Sequence, residues 1–365
     1  MELKHIIHWL HLCTTPALGP IKVHKLIKRF SSPEKILKLS ACQLKNSGLS
    51  PKQIHWLQHD PSALIKPILE WLDQNAYHHI LTIQDPAYPQ ILKLISDAPP
   101  ILYVKGHMDC LNNKQIAIIG SRNPTESGKR YARAFSMALT ELGLTIISGL
   151  ALGVDGQAHL GAIDKHAPTI GVLGSGLMRL YPKQHAALAE QMLNQGGALM
   201  SELPPHTSPQ KYHFPRRNRI ISGMSLGTLV IEAGRRSGSL ITAHAAMEAG
   251  REVMALPGSL DNPLSQGGHY LIQQGAHLVT NVADIAQILR IQQKPHNDDH
   301  ENQKLKADLL DKDCEKVLNC IGYNRLSIDS ISDFSSLSVT KTIECLEKLK
   351  AHGYLKSSDA LYYRD

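Results

Sequence analysis

At 365 residues with 42% hydrophobic content, this chain is too long for one small domain and apolar enough to bury a sizeable core, so two or three domains are expected. A formal net charge of +7 favours a polyanionic partner without ribosomal-type extremes, and aromatic content of 5% argues against a wide stacking platform. No run reaches transmembrane length and the start, MELKHIIHWLHLC, is too broken by histidine for a signal peptide, so a cytoplasmic chain without membrane insertion is expected.

Residues 1–75 read as short helices. A turn at Leu18-Gly19-Pro20 precedes a helix with Val23, Leu26, Ile27 and Phe30 on one face, and the cadence recurs around Gly48-Leu49-Ser50-Pro51. Two such helix–turn–helix units resemble helix-hairpin-helix or sterile-alpha-motif-like domains. They suit either a packing domain or a hold on nucleic-acid backbones through turn amides and Lys22 or Lys25. His5, His8 and His11 repeat every three residues and read as a helix face, since ligands of one ion favour i, i+4; no metal is expected. The six cysteines, Cys13, Cys42, Cys110, Cys314, Cys320 and Cys345, contain no C-x-x-C pair and read as reduced thiols. Two short strands are expected at 80–83 and 101–104.

Ile116 to Ile119 is an unbroken apolar run that enters Gly120, Ser121 and Arg122, the pattern of a strand buried on both faces that ends in a tight turn. A helix follows, with Tyr131, Ala134, Phe135, Ala138, Leu139 and Leu142 expected on its apolar face. Further strands are expected at 144–147, 169–173, 198–201, 227–231, 253–256 and 277–280, with helices between most of them. Alternating βα units predict an α/β fold with a doubly wound, mostly parallel sheet over residues 76–290, whose ligand rim lies beyond the strand ends. Residues 291–312 read as a polar linker. Residues 313–365 show a strand, two helices and a hairpin, a winged-helix pattern. Its longer helix mixes Glu344 and Glu347 with Lys341, Lys348 and Lys350, which leaves DNA contact and protein contact both open.

Several rim segments suit anions. Gly120, Ser121 and Arg122 join backbone amides to a hydroxyl and a guanidinium. Phe214, Arg216, Arg217, Asn218 and Arg219 set three arginines beside an aromatic ring able to stack on a base. Ser237, Gly238 and Ser239 open a helix behind Arg235 and Arg236, and Leu256 to Ser259 ends a strand near the same rim. Asp155 and His159 can be an acid/base pair, or an N-cap and a rim hydrogen-bond donor; no nucleophile accompanies them. The chain has no G-x-G-x-x-G with its downstream acid and no P-loop, so no nucleotide cofactor is expected.

The blocks IAIIGSRNPTESG, SGLALGVDGQAH, GLMRLYPKQH, FPRRNRIISG, EAGRRSGSLITA and LPGSLDNPLSQGGHYLIQQGA, in this order, closely resemble the DNA-processing protein A family (DprA, also called Smf). The resemblance covers about residues 76–290 and implies a Rossmann-like domain, flanked in longer members by sterile-alpha-motif-like and winged-helix domains. It implies a non-catalytic single-stranded DNA binder that protects incoming strands in natural transformation, loads the recombinase RecA and forms homodimers. The family's G-S-R segment falls on Gly120, Ser121 and Arg122, and its F-P-x-R-N-R segment on Phe214, Pro215, Arg217, Asn218 and Arg219. The expected mechanism is phosphate neutralisation by Arg122, Arg217 and Arg219, with amides of 120–122 and 237–239 assisting and Phe214 stacked on a base. The rival reading is enzymatic. Gly227 to Glu232 is reminiscent of the G-T-x-x-E of nucleotide phosphoribohydrolases, in which Glu232 would assist N-glycosidic cleavage, but Gly223-Met224-Ser225-Leu226 lacks that family's paired glycines, so Glu232 is instead expected to be a rim or arginine-pairing residue.

Overall fold

A computed structural model describes residues 3–291, 312–321, 326–351, 354–358 and 361–364. The chain divides into two compact units, Met1–Gln292 and Gln293–Asp365.

The first unit begins with six helices: α1 (Leu3–Cys13), α2 (Pro20–Phe30), α3 (Pro33–Leu37), α4 (Ala41–Asn46), α5 (Pro51–Gln58) and α6 (Ser62–Asp73). Serines set where three of them start. Ser32, Ser40 and Ser50 each accept from the backbone N–H three residues on, and Gln43 and Gln53 complete capping boxes at the last two. Pro20, Pro33 and Pro51 occupy first-turn positions, where a missing N–H costs nothing. Trp9, Leu10, Leu12, Val23, Ile36 and Trp71 are buried in one apolar cluster with Ile101, Tyr103, Leu173, Leu188 and Met192, so these helices share a core with one flank of the sheet.

The sheet has nine strands: β1 (His78–Thr82), β2 (Ile101–Gly106), β3 (Gln115–Ile119), β4 (Thr145–Ser148), β5 (Thr169–Val172), β6 (Ala198–Ser201), β7 (Gly227–Val230), β8 (Glu252–Ala255) and β9 (His277–Leu278). Their order is β1-β2-β6-β5-β4-β3-β7-β8-β9. All neighbours from β6 to β9 pair in parallel, while β1–β2 and β2–β6 are antiparallel. The fold is thus α/β with a mostly parallel sheet, and each strand expected from the sequence lies within two residues of an observed one or overlaps it.

Alternation along β3 shows why a continuous apolar run was needed. Ala117 and Ile119 pack on one face with α10 (His213–Met224) and α11 (Gly238–Glu248). Ile116 and Ile118 pack on the other with α7 (Glu126–Glu141), α8 (Val154–Asp164) and α13 (Val282–Ile288). The helices α9 (Ala186–Asn194) and α12 (Gln266–Gln273) complete the layers. The buried face of α7 is Ala132, Phe135, Ser136 and Leu139, whereas Tyr131 and Ala134, expected on it, are exposed. The seam is displaced because it includes a serine. Ser136 donates from Oγ to the Ala158 carbonyl at 2.5 Å, which lets a polar residue occupy a helix–helix contact that a purely apolar pattern overlooks.

Because β4 and β7 lie on opposite sides of β3, the direction of strand addition reverses there, and a crevice opens beyond the carboxyl ends of β3 and β7. That crevice is where Gly120 to Arg122 emerge.

The second unit contains α14 (Lys312–Ile321), β10 (Leu326–Ser327), α15 (Ile328–Ser335), α16 (Val339–Ala351), β11 (Leu355–Ser358) and β12 (Leu361–Arg364). Its antiparallel sheet has the order β10-β12-β11, over a core of Val317, Ile321, Ile331, Cys345, Leu346, Leu349 and Leu355. The expected linker, apart from its first and last residues, and Gly353 at the expected hairpin lie outside the described residues. Among the described residues no helix is long and apolar enough to cross a membrane.

Candidate nucleic-acid interface

A cleft of about 490 Å³ lies beyond the strand ends, lined among others by Gly120, Arg122, Lys211, Phe214, Asn218 and Ser237 to Ser239. Three separate sequence segments therefore meet here, as the rim argument required. The Arg122 side chain is exposed and its guanidinium lies over the Phe214 ring at 5.8 Å. Tyr181 stands 5.6 Å from the same ring at an interplanar angle of 57°. A smaller recess of about 50 Å³ lies between Arg122, Tyr181, Pro182 and Phe214. From the sequence Tyr181 has no expected role of its own, although it lies in the GLMRLYPKQH block just before Pro182.

The Gly120–Arg122 loop is held from two sides. Ser121 N donates to the Glu232 carbonyl at 2.6 Å, and Val154 N donates to the Ser121 carbonyl at 3.1 Å. Gly153, at φ +83°, packs so closely that a Cβ there would stand 2.4 Å from the Ser121 carbonyl oxygen, so only glycine fits both the conformation and the space. Across the cleft, Ser239 Oγ donates to the Gly120 carbonyl at 2.7 Å, and Ser237 Oγ accepts from Ser239 N at 3.2 Å, capping α11. Gly238 is exposed, and a Cβ there would meet nothing within 4 Å, so a ligand can approach its backbone.

The arginine cluster does not act as one group. Arg217 is 6% exposed, and its Nη1 donates to the carbonyls of Gly149, at 2.6 Å, and Val172. A Cβ on Gly149 would stand 2.5 Å from its Nη2, so that glycine makes room for the guanidinium. Burial pushes the Arg217 pKa down to about 10, and Asp155 opposes the shift. Arg217 is a buried brace at the base of the cleft lining, its guanidinium engaged by carbonyls in place of the phosphate contact expected from the sequence. Arg219 is also accounted for: its Nε lies 3.0 Å from Asp97 and its Nη2 2.5 Å from Glu202. Arg216 is exposed but lines a different groove, with Arg219. These roles depend on carboxylates and carbonyls distant in sequence, which no local pattern reveals. Asn218 remains in the cleft, its Oδ1 accepting from Arg217 Nε at 3.2 Å.

Asp155 is neither an N-cap nor the partner of His159. Gly153 is the N-cap of α8, and the Asp155 carboxylate turns back to accept from Gly149 N at 3.1 Å and Ala151 N at 3.3 Å. Burial holds its pKa above the usual carboxylate range, while Arg217 and those amides pull it down. His159 is fully buried, below the rim. Its Nδ1 pairs with Thr169 Oγ1 at 2.8 Å, that hydroxyl donates to the Ile146 carbonyl, and burial pushes its pKa down to about 3.

Glu232 caps α7. Oε2 accepts from Thr125 N at 2.8 Å and Oε1 from Thr125 Oγ1 at 2.6 Å. A carboxylate thus occupies the helix start that was expected to receive an anion, so the α7 terminus is taken. Glu232 does not pair with an arginine among the described residues either. The Leu256–Ser259 turn and Arg235 lie away from the cleft lining; Arg235 sits over the Tyr270 ring at 5.8 Å. Among the described residues no three His, Cys, Asp or Glu side chains are grouped to hold a metal.

Fold and cleft together define a class: open α/β proteins with a ligand crevice beyond the carboxyl ends of parallel strands, here walled by a cation over an aromatic ring. Within that class the family profile of DNA recombination-mediator protein A matches residues 79–290. The chain is 39% identical to Protein Smf of Escherichia coli over 89% of its own length and 87% of the relative's. It is 39% identical to DNA processing protein DprA of Bacillus subtilis, over 68% and 93% respectively. The solved DprA of Streptococcus pneumoniae superposes with a TM-score of 0.67 at 35% identity, covering 77% of this chain and 97% of that one. DNA processing protein A of Helicobacter pylori, solved in a study of its single-stranded DNA binding mode, gives 0.52 at 29% identity over 58% and 95%. The chain belongs to the DNA recombination-mediator protein A family.

Proposed function

We propose that this protein binds single-stranded DNA in the strand-end cleft as a non-catalytic recombination mediator. The observation that carries this is the exposed Arg122 lying over Phe214 in a cleft floored by the α11 start. Arg122 and Lys211 meet backbone phosphates, the exposed backbone at Gly238 and the hydroxyls of Ser237 and Ser239 assist, and Phe214 with Tyr181 contacts bases. Phosphates and π-faces are common to all bases, so sequence preference is weak. The single-stranded DNA binding mode described for the Helicobacter pylori relative supports this reading.

From the family resemblance we further infer that the protein protects incoming strands in natural transformation, loads RecA onto them, works as a cytoplasmic homodimer through the Rossmann-like domain, and carries a sterile-alpha-motif-like domain before it and a winged-helix domain after it. The enzymatic alternative is disfavoured because both Glu232 oxygens hold Thr125.

The test is a salt titration of binding to oligo-dT and to duplex of equal length, for wild type and Arg122→Ala. The expected result is single-strand preference, with weaker binding and a slope of log K against log salt shallower by about 0.7 in the variant. Equal weak binding to both forms, unmoved by the substitution, would take DNA out of this cleft.

A further inference from the structure

The opening of α10 serves two hollows. Phe214, Arg217 and Asn218 line the strand-end cleft, whereas Arg216 and Arg219 line a second groove of about 520 Å³. Pro215 borders both, so the two hollows are neighbours with this residue between them. The far wall of the second groove comes from Ala17 and from Gly19 to Lys22, at the start of α2.

Its charge is one-sided. Among the described residues Asp97 is the carboxylate lining the groove; it pairs with Arg219 at 3.0 Å, and Arg219 also meets Glu202, so Lys22 and Arg216 leave the balance positive. Lys22 and Arg216 are exposed and have no ion pair among the described residues, so two uncompensated cations from distant segments converge on one groove. The first turn of α2 adds potential of the same sign, because Gly19 supplies no side-chain cap and no acidic residue lies there. Ile21, 51% exposed, offers an apolar surface to a sugar or base. Among the described residues no aromatic ring lines the groove, so it is built to hold backbone more than to stack bases.

We propose that this groove is a second phosphate subsite for the same DNA single strand, which leaves the strand-end cleft, crosses Pro215 and meets Lys22 and Arg216. The proposal rests on single-stranded DNA occupying the first cleft. A flexible single strand can turn at Pro215, whereas a duplex, with a persistence length of about 50 nm, cannot follow two hollows on one helix. Linked occupancy makes the second contact intramolecular, so long strands gain affinity that short ones do not.

The experiment uses the full chain with Lys22→Gln and Arg216→Gln combined, against oligo-dT of about five and about twenty nucleotides. Both residues are exposed, and a charge-keeping Lys22→Arg, Arg216→Lys variant controls for folding. The double-glutamine variant is expected to bind the long strand on the order of tenfold more weakly near 0.1 M salt, with a slope shallower by about 1.4, and the short strand as wild type does. The charge-keeping variant is expected to restore long-strand binding. Unchanged long-strand affinity and slope would overturn the second subsite, and so would equal weakening at both lengths. Arg122→Ala separates the two readings, since it is expected to weaken both lengths. If it weakens neither while the double-glutamine variant still weakens the long strand, the strand-end placement fails and the groove stands as a DNA site by itself.

Discussion

Two buried side chains near the cleft, His159 and Asp155, have pKa values shifted by burial, so both make stability depend on pH, with opposite sign. His159 protonates near pH 6.5 when unfolded but is pushed down to about 3 in the fold. The unfolded chain therefore binds more protons between these values. Stability is fully present above about pH 6.5 and falls as pH drops toward 3, by up to about 1.4 kcal/mol per unit. Asp155 acts with the opposite sign at acidic pH, since its pKa is raised in the fold, so the comparison has to be made against a His159 variant. Urea unfolding from pH 7 to pH 4 is expected to show a steeper loss in wild type than in His159→Gln; parallel curves would mean that His159 is protonated in the fold.

At the scale of elements, the start of α7 shows how one position answers a question of function. Thr125 accepts from Gly128 N at 3.0 Å as the N-cap, and Glu232 locks Thr125 from β7's end. Thr125→Ala is expected to lower stability by about 1 kcal/mol, a typical cap loss, measurable in a denaturant midpoint. Glu232→Gln is expected to lower the same midpoint, because the neutral amide keeps at most one of the two acceptor contacts, and to leave nucleotide solutions without release of free base, as in wild type. Base release by wild type that disappears in Glu232→Gln would establish the enzymatic reading.

At the scale of the molecule, each unit has its own buried core, and the strand-end cleft is built wholly from the first. A chain ending at Gln292 is accordingly expected to unfold cooperatively and to bind oligo-dT within about twofold of the full chain at equal salt. A large loss of affinity would assign DNA contact to residues 293–365. In that second unit Phe334, Val339 and Ile343 are exposed on α15 and α16, a composition more apolar than a phosphate-facing surface needs.

What the sequence determined by itself was whatever local periodicity and punctuation encode. The apolar run at 116–119 and the expected strands at 169–173 and 227–231, each followed by a glycine or an acidic residue, were enough to place parallel strands and predict their shared rim. Family blocks in order were enough for the family. Tertiary structure alone decided which charges face solvent. Arg216, Arg217 and Arg219 are near neighbours in sequence, yet successive helical residues point about 100° apart. One therefore entered a second groove, one was buried against Gly149 and Val172, and one met Asp97 and Glu202. The same holds for Glu232, read as a rim acid until folding brought it to Thr125, 107 residues away in the chain. A side chain's charge is written in the sequence, but its partner is chosen by long-range packing, and the partner decides whether that charge remains available to a ligand.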